Sequence, residues 1–302
     1  MQQRKKIVHA NPDARPANAP LNGGSGGIGA VRPSANAPSP LINSFFPIFF
    51  LLLVPRFIAA NRAPISDCDE TFNFWEAVHH FTFRGGQQTW EHAPQYALRS
   101  WLYAGIHTML FQTVGLLLPW TSPANFWFLC RFVLAALSAG VEAFAAAVFL
   151  RCCRQHGRAI SGYLAVAFLA TSPGLFSHQI SLLPTTTAAT LLLLCTALAL
   201  TDDFSHVPLL AGIAILLGWP FACVAFAPII LSTLHFLGLK RALSRAGAAA
   251  CGIMAASVAC DSFMYAISDP ARVSCATSHT AVHVRPLYVL PREPCGIQCI
   301  WR

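Results

Sequence analysis

Charge is what this sequence has least of. Only 11% of its 302 residues are charged, against roughly 25% in soluble domains. No Asp, Glu, Lys or Arg occurs between Ala159 and Thr201, and none between Phe204 and Leu239. Each run exceeds the roughly 20 apolar residues needed to cross a bilayer, which excludes a large soluble domain. The eleven cysteines include no CxxC pair, so neither a structural zinc site nor any other metal centre is expected. Sequons of the form Asn-x-Ser/Thr are absent and no internal repeat stands out. The formal charge of +8 would suit a nucleic-acid partner, but its distribution does not. The basic residues form short clusters between apolar runs: Arg4-Lys5-Lys6, Arg151/Arg154/Arg158 and Lys240-Arg241/Arg245. That is the pattern of cytoplasmic loops in a membrane protein, and no nucleic-acid partner is expected.

What is present is apolar sequence in span-length pieces. Residues 1–40, rich in Pro, Gly, Ala and Asn behind a basic start, lack the apolar content for a core and read as a disordered cytosolic tail. The first span, about Leu41 to Ala60, then acts as an uncleaved signal anchor. It leaves residues 61–101 in the lumen, with Arg56 as an interface anchor. Leu102–Leu118 is apolar but carries His107 and Gln112. Parity makes it an interfacial helix, because a crossing there would send Arg151, Arg154 and Arg158 to the lumen. Further spans are expected at 126–150, 160–180, 185–201, 207–217, 220–238 and 246–267, about seven in all. A luminal turn at Gly218-Trp219-Pro220-Phe221 separates two of them. The fold class is an all-α multi-pass membrane protein with a large first luminal loop.

That loop holds the chemistry. Five of the twelve acidic residues lie between Asp67 and Glu91, interleaved with Trp75, His79, His80, Trp90, His92 and Tyr96. Its core reads Ser66-Asp67-Cys68-Asp69-Glu70-Thr71-Phe72-Asn73-Phe74-Trp75-Glu76, followed by Gln88-Thr89-Trp90-Glu91-His92-Ala93-Pro94-Gln95-Tyr96-Ala97-Leu98-Arg99-Ser100. Asp69 and Glu70 set two carboxylates at the water interface. Mutual repulsion and partial burial raise the pKa of at least one, which suits a general base. Trp75, Trp90 and Tyr96 offer faces for a sugar or for the headgroup belt. Arg99, His79 and His80 have the chemistry to hold a phosphate. The same residues also fit a loop that is merely wet.

The run CDETFNFWE…QTWEHAPQYALRS resembles the first luminal loop of glycosyltransferase family 22, endoplasmic-reticulum mannosyltransferases of the GT-C fold. Within the family it is most similar to the branch making α-1,2 linkages in asparagine-linked glycosylation. Arg131 and Glu142 match an Arg and a Glu of the family's next span, and Leu183-Pro184 and Leu217–Phe221 also resemble family segments. Arg131 and Glu142 share a helix face but lie about 16 Å apart along it, so they are not a direct pair. The resemblance implies a GT-C-like architecture and an inverting transfer of mannose from dolichyl phosphate mannose to a dolichyl-pyrophosphate-linked oligosaccharide. It implies no cofactor beyond that lipid-linked donor, and partners limited to donor, acceptor and membrane lipid. An inverting transfer needs one base for the acceptor hydroxyl. Asp69 is assigned that role, with Glu70 as the alternative or as the residue that orients it. Glu76, Glu91, His79, His80, Trp75, Trp90, Tyr96 and Arg99 are assigned to substrate. Arg131 has either a structural or a lipid-phosphate role.

The resemblance ends near Tyr265. Residues 268–302 are polar, with Cys and Pro but no span, and read as the product of an altered reading frame on a truncated N-terminal half. The alternatives are a sibling acting at an α-1,6 step or on the glycosylphosphatidylinositol anchor, an inactive truncated relative, and a transporter. The last would want midplane charges on broken helices, and the spans offer almost none.

Overall fold

The computed structural model describes residues 40–268 except 84, 87, 88, 94 and 119–121. The two expected tails, 1–40 and 268–302, lie outside the described residues but for Pro40 and Ser268. The described residues contain helices and no strand. Helix α1 spans Pro40–Arg62. A π-helical turn, Glu70–Trp75, runs into α2, Glu76–Phe83. A 3₁₀ turn, Trp90–His92, precedes α3, Leu102–Leu117, and α4, Pro123–Gln155. Then come α5, Ala159–Thr171, α6, Pro173–His178, and α7, Pro184–Leu200. Helix α8, Val207–Gly212, continues as a π-helical segment, Ile213–Gly218. Helices α9, Cys223–Leu237, and α10, Leu239–Ser268, complete the order.

Proline and glycine set the boundaries. Ser122 caps α4 by accepting from the Asn125 amide, with Pro123 at the first helical position, where a missing N–H costs nothing. The expected single span over 160–180 is corrected to α5 and α6. Pro173 cannot donate to the preceding turn and its ring clashes with it, so the helix stops at Thr171 and restarts. Gly238, at φ +76°, lets the chain reverse between α9 and α10.

Among the described residues, four helices are long and apolar enough to cross a membrane: Leu41–Arg62, Pro123–Gln155, Pro220–Leu237 and Leu239–Ala266. Their outer faces present Phe50, Val54, Ile58, Val224, Leu231, Val258 and Phe263, the surface of a chain whose solvent is lipid. The chain is an all-α multi-pass membrane protein.

Helices α1 and α4 form the antiparallel centre. Ala135, Ala139, Ala143 and Ala147, four apart on α4, are all buried. Small side chains at that spacing let backbones approach, as membrane helices require. Ile48 and Leu52 pack on Ala143 and Leu150, whereas Ala59 and Ala60 pack on Ala135. Arg56 is not an interface anchor. It is fully buried, donates to the Leu52 carbonyl at 2.8 Å and pairs with the fully buried Glu142 of α4. An arginine within two turns of a helix end can snorkel to water only if no neighbour covers it, and α4 covers this one. Arg131 and Glu142 are indeed not paired with each other.

The helices run between two ends. At one end Cys152 lies 3.9 Å from the Leu200 carbonyl, Arg245 donates to the Ser205 carbonyl at 2.8 Å, and Phe204 stacks on Phe236 at 4.6 Å. The clusters Arg151–Arg158 and Lys240–Arg245 thus share this basic end. At the opposite end the Leu182 amide meets Glu70, the Pro184 carbonyl faces Gly218, and Asp261 meets Trp101. Among the described residues, seven stretches run from one end to the other: α1, α4, α5 with α6, α7, α8 with its π-helical extension, α9 and α10, and four of them carry the helices long enough to cross a membrane. Helix α3 is not among them. At 16 residues it is about 24 Å long, and Tyr103, Ala104 and Phe111 pack with Phe126 and Cys130 at the start of α4.

Candidate active site

The segment 61–101 is a small helical cap on the end opposite the basic clusters. Phe74, Trp75, Val78, Trp101, Tyr103 and Phe111 bury its underside. Trp75 stacks on Phe111 at 6.1 Å and meets Trp127 edge-on at 6.2 Å. It is 5% exposed and therefore works in this packing rather than as an open sugar platform.

Consecutive residues on a helix point about 100° apart, and this separates the two neighbouring carboxylates. Glu70 turns inward and is 6% exposed. Its Oε1 accepts from Trp75 Nε1 and from the Leu182 amide, both at 2.9 Å. Burial pushes its carboxyl above the usual range, while those two donors and the charge of Arg131 pull the other way. Asp69 turns outward, with more than half of its side chain exposed. Its Oδ1 accepts from Asn73 Nδ2 at 3.1 Å and its Oδ2 lies 3.6 Å from Arg99 Nη2.

Arg99 joins the parts of this surface. Its Nε donates to Glu91, and its guanidinium lies 5.4 Å over the Phe74 ring. The Leu98 and Arg99 amides both donate to the Glu91 carbonyl, folding 91–99 back on itself. That fold holds Ala97 at φ +44°, a left-handed conformation uncommon for alanine. Trp90 and Tyr96, 60% and 55% exposed, meet edge to face at 5.6 Å beside it. The structure therefore brings together Asp69, Glu91, Arg99, Trp90 and Tyr96.

The other expected site residues lie apart. His79 hydrogen-bonds through Nδ1 to the Gly85 carbonyl at 2.9 Å, and burial pushes its imidazole down, which leaves it uncharged near neutrality. Glu76 is buried next to it. A Cβ on Gly86, at φ +118°, would stand 2.9 Å from Glu76 Oε2 and 3.1 Å from His79 Nδ1, so the chain passes there only as glycine. His80 and His92 flank Trp101 at 5.8 and 4.5 Å. Arg131 is 4% exposed, lies 4.6 Å over the Trp127 ring and donates to the Ala59 carbonyl at 3.4 Å. It holds α4 against the end of α1 with its charge toward Glu70. Glu76 and His79 do share one feature: with Trp75, Phe83, Phe126 and Trp127 they line a mostly apolar cavity between α2 and α4. Asp67, Cys68 and Asp69 present possible ligand atoms within 4.8 Å of one another, all exposed.

Three features of this end escaped the sequence reading. They are the Leu182 amide on Glu70, the burial of His92, and the contact of Asp261 and Tyr265 with residues 99–101. Only Asp261 left a signal, as the sole acid in α10.

Comparison with known proteins bears on this surface. The Alg9-like mannosyltransferase family matches residues 47–281. The match passes Tyr265, which corrects the expectation that resemblance ends there. The α-1,2-mannosyltransferase ALG9 of Arabidopsis thaliana is 30% identical over 62% of this chain and 32% of its own length. The alg9 protein of Schizosaccharomyces pombe is 33% identical over 69% of this chain and 35% of its own. Human ALG9 is 34% identical over 60% and 29%. The chain spans about a third of the length of the curated relatives it matches. No solved structure matches.

Proposed function

This chain belongs to the Alg9-like mannosyltransferase family, and on that premise we propose that its helical cap carries the acid–base and phosphate-holding groups of an inverting mannosyl transfer. The donor is dolichyl phosphate mannose and the acceptor a dolichyl-pyrophosphate-linked oligosaccharide, extended in α-1,2 linkage at the luminal face of the endoplasmic reticulum. The observation that carries this reading is the exposed Asp69 carboxylate standing 3.6 Å from the Arg99 guanidinium at one end of a membrane bundle.

The division of labour follows from the groups. Asp69 takes the proton from the acceptor hydroxyl as it attacks the anomeric carbon. The bond to phosphate breaks with inversion, and no strong acid is needed because the leaving phosphate is already ionised. Arg99 receives the charge that develops there, with planar donors matched to phosphate oxygens. Glu91 aims Arg99 without touching the substrate. Trp90 and Tyr96 present ring faces to sugar. Glu70, buried and held through Oε1 by Trp75 and Leu182, orients the turn that carries Asp69 and is not itself the base. The reaction needs no cofactor beyond the lipid-linked donor.

The test is D69N in the 302-residue chain, reconstituted in vesicles with donor and acceptor. Removing a general base lowers transfer by about 10²–10⁴-fold, with insertion into the membrane unchanged. Wild-type rates in D69N remove Asp69 from the mechanism. Linkage analysis of the product separates the α-1,2 reaction from an α-1,6 one.

A further inference from the structure

We propose that Asp261 and Tyr265, near the end of α10, are positioning residues that fix where Arg99 stands against Asp69. They lie four apart and so share one face of the helix. Asp261 Oδ1 accepts from the Trp101 amide at 2.7 Å and from the Ser100 hydroxyl at 3.1 Å. The same hydroxyl accepts from the Leu102 amide at 3.2 Å. One turn on, the Tyr265 hydroxyl donates to the Arg99 carbonyl at 3.2 Å. Three consecutive residues, 99, 100 and 101, are thereby tied to a helix some 160 positions away in the sequence.

The chemistry of these contacts is specific. The Trp101 amide sits at the start of α3, where the first turn has donors with no partner inside the helix. A carboxylate there satisfies one of them and favours the helix dipole. Asp261 is the only acid in α10, and no other charged residue lies in that helix beyond Arg245 at its start. An acid is retained in such a segment where it has partners that need it. From the other side the Glu91 carbonyl holds the Leu98 and Arg99 amides. The backbone of Arg99 is thus fixed above and below while its side chain stays about a third exposed. A clamp of this kind sets the Arg99–Asp69 spacing before any substrate arrives. A misplacement of about 1 Å in such a group can reduce turnover about 10²-fold. Helix α10 therefore belongs to the site as well as to the membrane.

The inference rests on the reading of Arg99 as the group that holds donor phosphate. The experiment compares D261A, D261N and Y265F with the wild-type chain in lipid nanodiscs, by hydrogen exchange, by phenylglyoxal modification of Arg99 and by mannosyl-transfer kinetics. In D261A, exchange at residues 100–102 and reactivity of Arg99 rise at least tenfold, while exchange in α4 is unchanged. The KM for dolichyl phosphate mannose rises at least tenfold and the KM for acceptor less than twofold. D261N, which keeps an acceptor but loses the charge, falls between. Y265F, which removes one hydroxyl and keeps the ring, raises donor KM several-fold. Unchanged exchange and unchanged Arg99 reactivity in D261A and Y265F overturn the proposal. So does an equal rise in both KM values or a loss confined to kcat. If the wild-type chain transfers no mannose, the proposed function fails on its own, and exchange with Arg99 reactivity still decides the tether.

Discussion

His92 and Glu70 are both buried in the cap, and burial displaces their proton equilibria in opposite directions. For His92, desolvation lowers the imidazole from 6.5 to about 4, with the charge of Arg99 adding to the effect and Glu91 opposing it. Between those values the unfolded chain binds more protons than the folded cap, so cap stability rises with pH across this window. The full contribution is present above pH 6.5 and is lost as pH falls toward 4. Its size is on the order of 3 kcal/mol. Glu70 has the opposite sign: its raised carboxyl makes the folded state bind protons more readily, so acid does not weaken the cap through it. Acidification from pH 7 to pH 5 is therefore expected to lower the protection factors of amides at residues 89–102, that is, exchange relative to its intrinsic rate at each pH, and H92F is expected to abolish that loss of protection. A loss of protection that survives in H92F would assign the effect to another group.

At the scale of elements, the pairing of α1 with α4 is governed by Arg56 and Glu142. Both side chains are fully buried, and neither helix offers the other a route to water. Removing one partner of a buried ion pair leaves the other uncompensated, at about 3–5 kcal/mol, whereas replacing both by apolar groups of similar size is close to neutral. E142L and R56M alone are expected to lower the midpoint of thermal unfolding in detergent sharply, and R56M/E142L to restore it to near the wild-type value. A double variant as unstable as the singles would show that the charges stabilise the helix pair by more than their mutual neutralisation. The alanine stripe Ala135, Ala139, Ala143 and Ala147 is what allows the helices to come this close.

The whole molecule sorts its charge by end. The cap end holds Asp69, Glu91, Arg99 and Asp261, while Arg151–Arg158 and Lys240–Arg245 gather at the other. The positive-inside rule predicts that the second end faces the cytosol. Because α4 starts beside the cap, α3 adds no crossing to this reading. Cysteine labelling in sealed microsomes is expected to reach R154C from the cytosolic side only and S66C from the lumen only. Luminal labelling of R154C would make α3 a crossing helix and invert everything after it.

The sequence alone determined the membrane class, most of the apolar helices and the clustering of basic residues, and it marked the segment 61–101 as the candidate place of chemistry. These follow from composition and spacing, which the bilayer reads directly. The resemblance carried by CDETFNFWE added the family. What the sequence left open was every choice of partner. Asp69 and Glu70 are neighbours with the same chemistry, and only the return of the chain at Leu182 decides which one is buried. Arg56 reads as an anchor until α4 covers it with Glu142, 86 positions on. Asp261 reads as a stray acid until α10 delivers it to Trp101. Local periodicity reports which face a residue occupies. What stands opposite that face is set by segments far along the chain, and for these buried polar groups only the tertiary structure supplies it.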